Sequence, residues 1–282
     1  MGGAGTLSRY AVRVTTNSGN GVVVRAEQPW SDARLAQLYD VFTFDADVPL
    51  YLDLARQQGA RVLEVACGSG RVLVPLAQSG LEIVGVDISP HMLALARAKL
   101  DAGTLPGSAA LVQADMRTFR LRRSDFDLAI VPVKSFAYLL EAADQIRCLE
   151  SIHAHLRPGG LLAIDLMHPL PEWTSAPRGS MRDDLLQHVA DRGFTASRVE
   201  SVVSTDLARQ IRVIRSVYEL VDDTGQVLDK RFVEWPYRWI HRFEAEHLLH
   251  RAGFTVEAVY GGYQREPFAS DSAAMVFLAR KA

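Results

Sequence analysis

Val62-Leu63-Glu64-Val65-Ala66-Cys67-Gly68-Ser69-Gly70-Arg71 is the stretch that decides the fold. Val62 to Val65 read as a short buried strand. Gly68 and Gly70 give a tight turn, and residues 72–78 continue as an apolar, helix-like run. A strand that ends in a Gly-rich turn and feeds a helix is a nucleotide-binding device. The glycines let the backbone approach a ligand, and the helix N-terminus offers unpaired N–H groups. Glu64 stands out inside a strand that should be buried on both faces, because a buried carboxylate needs a partner.

Strands and helices alternate outward from this point. Residues 61–66 form the first strand of the series and 71–79 a helix stopped by Gly80. A strand at 82–87 follows. Ser89-Pro90 then supplies an N-cap with proline at the first helical position, and that helix runs to about residue 102. Strands at 109–114 and 126–132, a helix at 143–156, and a turn at Pro158-Gly159-Gly160 into a strand at 161–166 complete the pattern. This spacing implies a parallel sheet covered on both faces. Upstream, Asp32 and Asp47 read as N-caps of two helices, the second with Pro49 in its first turn and Gly59 closing it. Residues 1–30 read as a Gly-rich loose tail, with a hairpin of 10–14 and 22–26. Between Pro169 and His241 the pattern changes to β-like runs at 198–205, 209–220 and 230–240, with a hairpin turn at Asp222-Asp223-Thr224-Gly225. A helix at 243–252 and strands at 255–261 and 273–280 end the chain. The division expected is residues 1–58 as tail and helical cap, 59–170 with 241–282 as the core, and 171–240 as an antiparallel insertion.

The bulk numbers narrow the class. With 282 residues, 48% of them hydrophobic, the chain can bury one large α/β core plus a subdomain. A net charge of −2 is not the basic footprint of a nucleic-acid binder. No apolar run approaches the roughly 20 residues needed to cross a bilayer, and no leader pattern opens the sequence. Two cysteines, Cys67 and Cys148, do not make a disulfide framework. The expectation is a cytoplasmic protein, monomer or homodimer, without nucleic-acid or membrane partners.

Four features fall at the C-terminal ends of successive strands, where open α/β sheets bind ligands. The Gly turn is the first. Asp87 is the second, placed to accept hydrogen bonds from ribose hydroxyls, with Ile88 and Met92 beside it. Asp115-Met116 is the third; a carboxylate next to an apolar side chain suits an adenine. Val131-Pro132-Val133-Lys134 is the fourth. With these in place the sequence resembles the class I S-adenosylmethionine-dependent methyltransferases of small-molecule type. Glu64, Gly68 and Gly70 are similar to that family's acid–Gly-x-Gly turn, with Ala66 where glycine is usual. Phe126-Asp127-Leu128 and Leu156-Arg157-Pro158-Gly159-Gly160 also match.

The resemblance implies a Rossmann-like, seven-stranded, mostly parallel sheet with an antiparallel last strand, and a substrate lid made by the insertion. It implies S-adenosylmethionine as cofactor, held by Tyr39, Glu64, Ala66, Gly68, Gly70, Asp87, Ile88, Met92, Asp115, Met116 and Pro132. The acceptor would be a small molecule with an oxygen, nitrogen, sulfur or carbon nucleophile. His168, Lys134 and Tyr138 are the candidates for its catalytic surroundings. Glu244, His247 and His250 read as a solvated helix face, and no metal site is expected. Trp173, Trp235, Tyr237 and Trp239 are either an aromatic wall or the insertion's own core. A nicotinamide-dependent oxidoreductase is the rival reading, but its third glycine is missing after Gly70; a non-catalytic binding relative is the other.

Overall fold

In a computed structural model, described for residues 13–17, 21–25, 30, 32–189 and 193–282, the chain builds two sheets. The larger contains β3 (Arg61–Val65), β4 (Glu82–Asp87), β5 (Ser108–Gln113), β6 (Phe126–Val131), β7 (Leu156–Met167), β12 (Phe254–Tyr260) and β13 (Ala274–Lys281). Their order is β12-β13-β7-β6-β3-β4-β5, with β13 antiparallel to both neighbours and the other pairs parallel. This is the Rossmann-like arrangement implied by the sequence. The central strands β3 and β6 present alternate side chains to two separate cores. Leu63, Val65, Ala129 and Val131 face α5 (Ala142–His155) and α7 (Arg242–Arg251). Val62, Leu128 and Ile130 face α2 (Val48–Gln58) and α3 (Leu73–Gln78). Gly59 closes α2 at φ +141°, against the Asp127 carboxyl that Arg61 and Arg157 also hold.

Helix starts follow the sequence with exceptions. The Asp32 carboxylate accepts the N–H groups of Arg34 and Leu35 and caps α1 (Ala33–Tyr39). Ser89 caps α4 (Pro90–Asp101). Asp47 is not a side-chain cap of α2: its carboxylate is wholly buried and paired with Arg71, a stronger partner than backbone N–H groups. α3 begins at Leu73 rather than Arg71, because Arg71 is turned back to make that pair. Pro158-Gly159-Gly160 lies inside β7 rather than before it; the pairing with β6 slips there, and Gly159 takes φ +68°.

The smaller sheet is richer than the expected insertion. It holds β8 (Met181–Val189), β9 (Phe194–Asp206), β10 (Ile211–Asp222) and β11 (Val227–Arg238), the first of which follows the single-turn helix α6 (Pro171–Thr174) and was not expected. The hairpin of β1 (Arg13–Asn17) and β2 (Gly21–Arg25) joins it, and β2 pairs with β11 in parallel, so the sheet is not purely antiparallel. The expected hairpin residues 10–12 and 26 lie outside the described residues. At the β10–β11 turn the Asp222 carboxylate accepts N–H groups of Thr224 and Gln226, and Gly225 takes φ +87°. Among the described residues no helix is long and apolar enough to cross a membrane.

Gly59→Ala should lower stability by about 2–4 kcal/mol in urea unfolding, because the added Cβ would fall 2.4 Å from the Asp127 Cγ at an unfavourable φ.

Candidate active site

The turn after β3 holds three left-handed residues within five: Ala66 at φ 59°, Gly68 at 55° and Gly70 at 78°. A Cβ on Gly68 would stand 3.2 Å from Met92 Cε, and one on Gly70 would stand 3.1 Å from Ala96 Cβ. Ala66 adopts the same region at a cost of roughly 1 kcal/mol, which explains why glycine is usual there. Asp87 fixes this turn: its Oδ2 accepts the Gly68 N–H at 2.8 Å and its Oδ1 accepts the Ser89 N–H at 2.8 Å. Burial pushes the Asp87 carboxyl up, and those N–H groups work against the rise.

Glu64 sits behind the turn. It is 1% exposed, and Oε2 has no hydrogen-bond partner among the described residues. Burial pushes its carboxyl well above the usual range; Arg71 opposes this, and Asp47 and Asp87 add to it. Strand alternation places Asp165 of β7 and Tyr51 of α2 on the same side, and Asp165 Oδ1 and the Tyr51 hydroxyl are likewise unpaired. Asp165 is held on its other oxygen by Tyr263 at 2.7 Å and Lys134 at 3.5 Å. Arg71 is tied to Asp47 and to the Phe44 carbonyl.

A cavity of about 370 Å³ opens in front of the turn. Ala66, Gly68, Asp87, Ile88 and Met92 line one wall, and Asp115 and Met116 another. Tyr39 and Tyr138 close it from the sides. Glu64, Gly70 and Pro132 stand behind the wall. The Pro132 carbonyl accepts the Ser135 N–H and hydroxyl, and Ser135 itself lines the cavity. Burial pushes the Asp115 carboxyl up, but Arg117 outweighs it and holds the acid below its usual range.

Lys134 and His168 do not line this cavity. Lys134 takes φ 59° next to Val133 at φ 55°, and its Nζ reaches Tyr263 at 3.2 Å and Asp165 at 3.5 Å. The His168 Nδ1 meets the Ser272 carbonyl at 2.7 Å, and its ring packs edge-on to Phe268. Tyr138 is the one of the three on the wall.

Several wall residues lie outside the expected set. Trp30, read as tail, packs edge-on against Tyr39 with centroids 4.9 Å apart. Arg117 and Asp144 join at 3.1 Å beside Asp115. Arg209 arrives from the β9–β10 turn and Pro236 from β11. A lone tryptophan two residues before a capping Asp32 was the signal available for Trp30. Trp235, Tyr237 and Trp239 are buried, and Trp173 stacks on Tyr237 at 5.6 Å, so these rings act as packing under the sheet. Glu244 accepts from Arg238 and closes a capping box with His241. Burial pushes the Cys67 thiol well up, as expected of an inert packing residue.

A family described as "Methyltransferase domain" matches residues 62–160, roughly a third of the chain. The chain spans about half the length of three curated methyltransferase relatives. It is 27% identical over 238 residues to the dTDP-3-amino-3,4,6-trideoxy-alpha-D-glucopyranose N,N-dimethyltransferase of Streptomyces venezuelae, covering 80% of this chain and 92% of that one. Among solved structures, the CcbJ methyltransferase of Streptomyces caelestis superposes with a TM-score of 0.74 at 22% identity, covering 91% of this chain and 99% of that one. DesVI of Streptomyces venezuelae superposes at 0.71 with 25% identity, covering 88% and 98%.

The folded value of Glu64 lies above its unfolded one, so the folded state holds the extra proton. Stability is therefore greatest below the ordinary glutamate range and falls as pH rises from there through the raised value. Glu64→Gln should flatten this slope, at most about 1.4 kcal/mol per pH unit for one proton, in urea unfolding run across pH. Asp87→Ala should weaken binding of S-adenosylhomocysteine at least about tenfold in titration calorimetry, because the Gly68 turn on the cavity wall loses its acceptor.

Proposed function

We propose that this chain, by its matched domain and its fold a class I S-adenosylmethionine-dependent methyltransferase, methylates the amino group of a small, sugar-sized acceptor. The observation that carries the cofactor reading is the cavity bordered jointly by the left-handed turn, Asp87 and Asp115-Met116. The residues fit the group: the turn leaves room that a Cβ at Gly68 would take up, and the unpaired Glu64 Oε2 matches an α-ammonium.

When bound, S-adenosylmethionine supplies a methyl already activated on a sulfonium, so transfer is an in-line displacement. Asp87 is assigned to the ribose hydroxyls, Asp115 to the adenine amine, and Ile88, Met92 and Met116 to the ring faces. Glu64, with Gly70 and Pro132 shaping the turn and its neighbour, is assigned to the methionine end. Tyr39, Trp30 and Tyr138 exclude water from the reacting centre. Aligning two reactants contributes about 7–11 kcal/mol to lowering the barrier, against roughly 3–5 kcal/mol from a general base. The pocket therefore matters more than any one base.

The amine is supported by two observations. One relative, aligned over 80% of this chain, is named as an N,N-dimethyltransferase of an amino sugar. Among the described residues that line the cavity there is no histidine or cysteine, and a neutral amine needs neither as activator. We assign residues 1–58 to a tail and helical cap, 171–240 to a lid over the acceptor, and 59–170 with 241–282 to cofactor binding. Lys134 and His168 are assigned to the rim on the acceptor side. A cytoplasmic monomer or homodimer without nucleic-acid partners is supported by two buried free thiols and a net charge of −2.

Calorimetry should show heat with S-adenosylhomocysteine and none with NADH. Incubation with S-adenosylmethionine and amino sugars should add one or two methyl groups by mass spectrometry, while hydroxyl analogues stay unmodified. Methylation of the hydroxyl analogues alone would sink the amine reading.

A further inference from the structure

Asp115 shares the cavity wall with two further charged groups, Arg117 and Asp144. The chain turns here just after β5. The Thr118 N–H donates to the Asp115 carbonyl at 3.0 Å, and the Arg117 N–H donates to Asp115 Oδ1 at 2.8 Å. The Arg117 side chain also returns to the acid two positions before it. Its Nε reaches Oδ1 at 2.9 Å and Oδ2 at 3.0 Å, and its Nη2 reaches Oδ2. The remaining nitrogen, Nη1, reaches Asp144 Oδ2 at 3.1 Å.

Helix α5 fixes the other end of this fork. Asp144 is buried in its first turn, with its backbone N–H on the Glu141 carbonyl at 2.9 Å and its second oxygen held by Arg147. Two turns further along, the Ser151 hydroxyl donates to the Arg117 carbonyl at 3.0 Å. Arg117 is therefore tied to α5 through both its backbone and its side chain. A guanidinium is planar and aims its donors in fixed directions, so a fork held at both ends sets where the carboxylate oxygens lie. A carboxylate offers about four lone-pair sites. Arg117 supplies three donors to Asp115: its backbone N–H, Nε and Nη2. One site is left, on Oδ2. Burial pushes the Asp115 carboxyl up, but the bonds from Arg117 outweigh it, so the acid stays an acceptor only.

Resting on the assignment of Asp115 to the adenine amine made above, we infer that Arg117, anchored on Asp144, is a positioning residue that leaves Asp115 one open acceptor site and thereby selects a 6-aminopurine over a 6-oxopurine in the cofactor. One open acceptor on a half-buried wall takes one N–H. The exocyclic amine of adenine supplies it. A 6-oxopurine presents a carbonyl oxygen instead, and two acceptors then meet with no proton between them. Arg117 acts on the purine through Asp115, and Asp144 acts through Arg117.

The test is titration calorimetry on the full chain with S-adenosylhomocysteine and with S-inosylhomocysteine, its 6-oxo analogue. Wild type should bind the adenosyl compound at least about a hundredfold tighter. Arg117→Gln should lower that ratio at least about tenfold. Asp115, freed from the fork, then turns or takes up a proton and donates it to the 6-oxo oxygen. Arg117→Lys keeps the charge and loses the fork, and its ratio should fall between the two. Asp144→Asn should move the ratio the same way by less. Urea midpoints identify a variant that does not fold; if Arg117→Gln is one, Arg117→Lys and Asp144→Asn decide. Affinities for both compounds that fall together at an unchanged ratio make Arg117 a packing residue and overturn its role. Asp115→Asn tests the assignment underneath, because an amide donates to a 6-oxo oxygen and the ratio should collapse. A wild-type ratio in Asp115→Asn overturns the adenine assignment and the role of Arg117 together. A ratio that moves with Asp115→Asn but with neither Arg117 variant overturns the role of Arg117 alone.

Discussion

A single carboxylate holds the binding edge of the larger sheet. Asp87 ends β4 and accepts the N–H groups of Gly68 and Ser89, one on each oxygen. It thereby fixes the turn out of β3 and the entry into α4 at once. The left-handed backbone at residues 66, 68 and 70 has no regular ladder to keep it in place. What keeps it is this acid together with the Cys67 N–H on the Val86 carbonyl. The cavity wall is built from these same backbone segments, so the shape offered to a ligand depends on a hydrogen-bonded corner and not on loop packing alone.

The parts legible in the sequence are those written by local spacing. Asp87 ends its strand, and Gly68, Gly70 and Asp115-Met116 each follow theirs within five residues; strand ends are where such residues act. The run 126–131, apolar but for Asp127, announced a strand buried on both faces. What could not be read depends on partners far apart in the chain. Asp47 precedes a proline and looks like a cap, yet Arg71 claims its carboxylate from 24 positions away. Strand β8 carries Arg182-Asp183-Asp184 after Met181, a polar run that interrupts any alternation in the sequence. The parallel seat of β2 beside β11 joins segments about 210 residues apart, and no turn signal marks it. Trp30, Arg209 and Pro236 reach the cavity only because that second sheet closes over the first.

The two sheets divide the work by polarity. The larger offers backbone N–H groups and carboxylates at strand ends. The smaller offers a face of aromatic rings with Glu200 paired to Arg198. The rings of Trp30 and Trp235, 5.5 Å apart, join the two surfaces.

Trp30 also carries a kinetic consequence. Its carbonyl accepts the Ser89 hydroxyl, and Ser89 caps α4; two residues later Asp32 caps α1. Lifting this part of the wall away from the cavity strains the first turns of two helices together, at about 1 kcal/mol for each cap lost. Exchange of a bound molecule on this side is therefore coupled to fraying of helix ends, and its rate would follow the strength of the caps as much as the contacts made to the ligand itself.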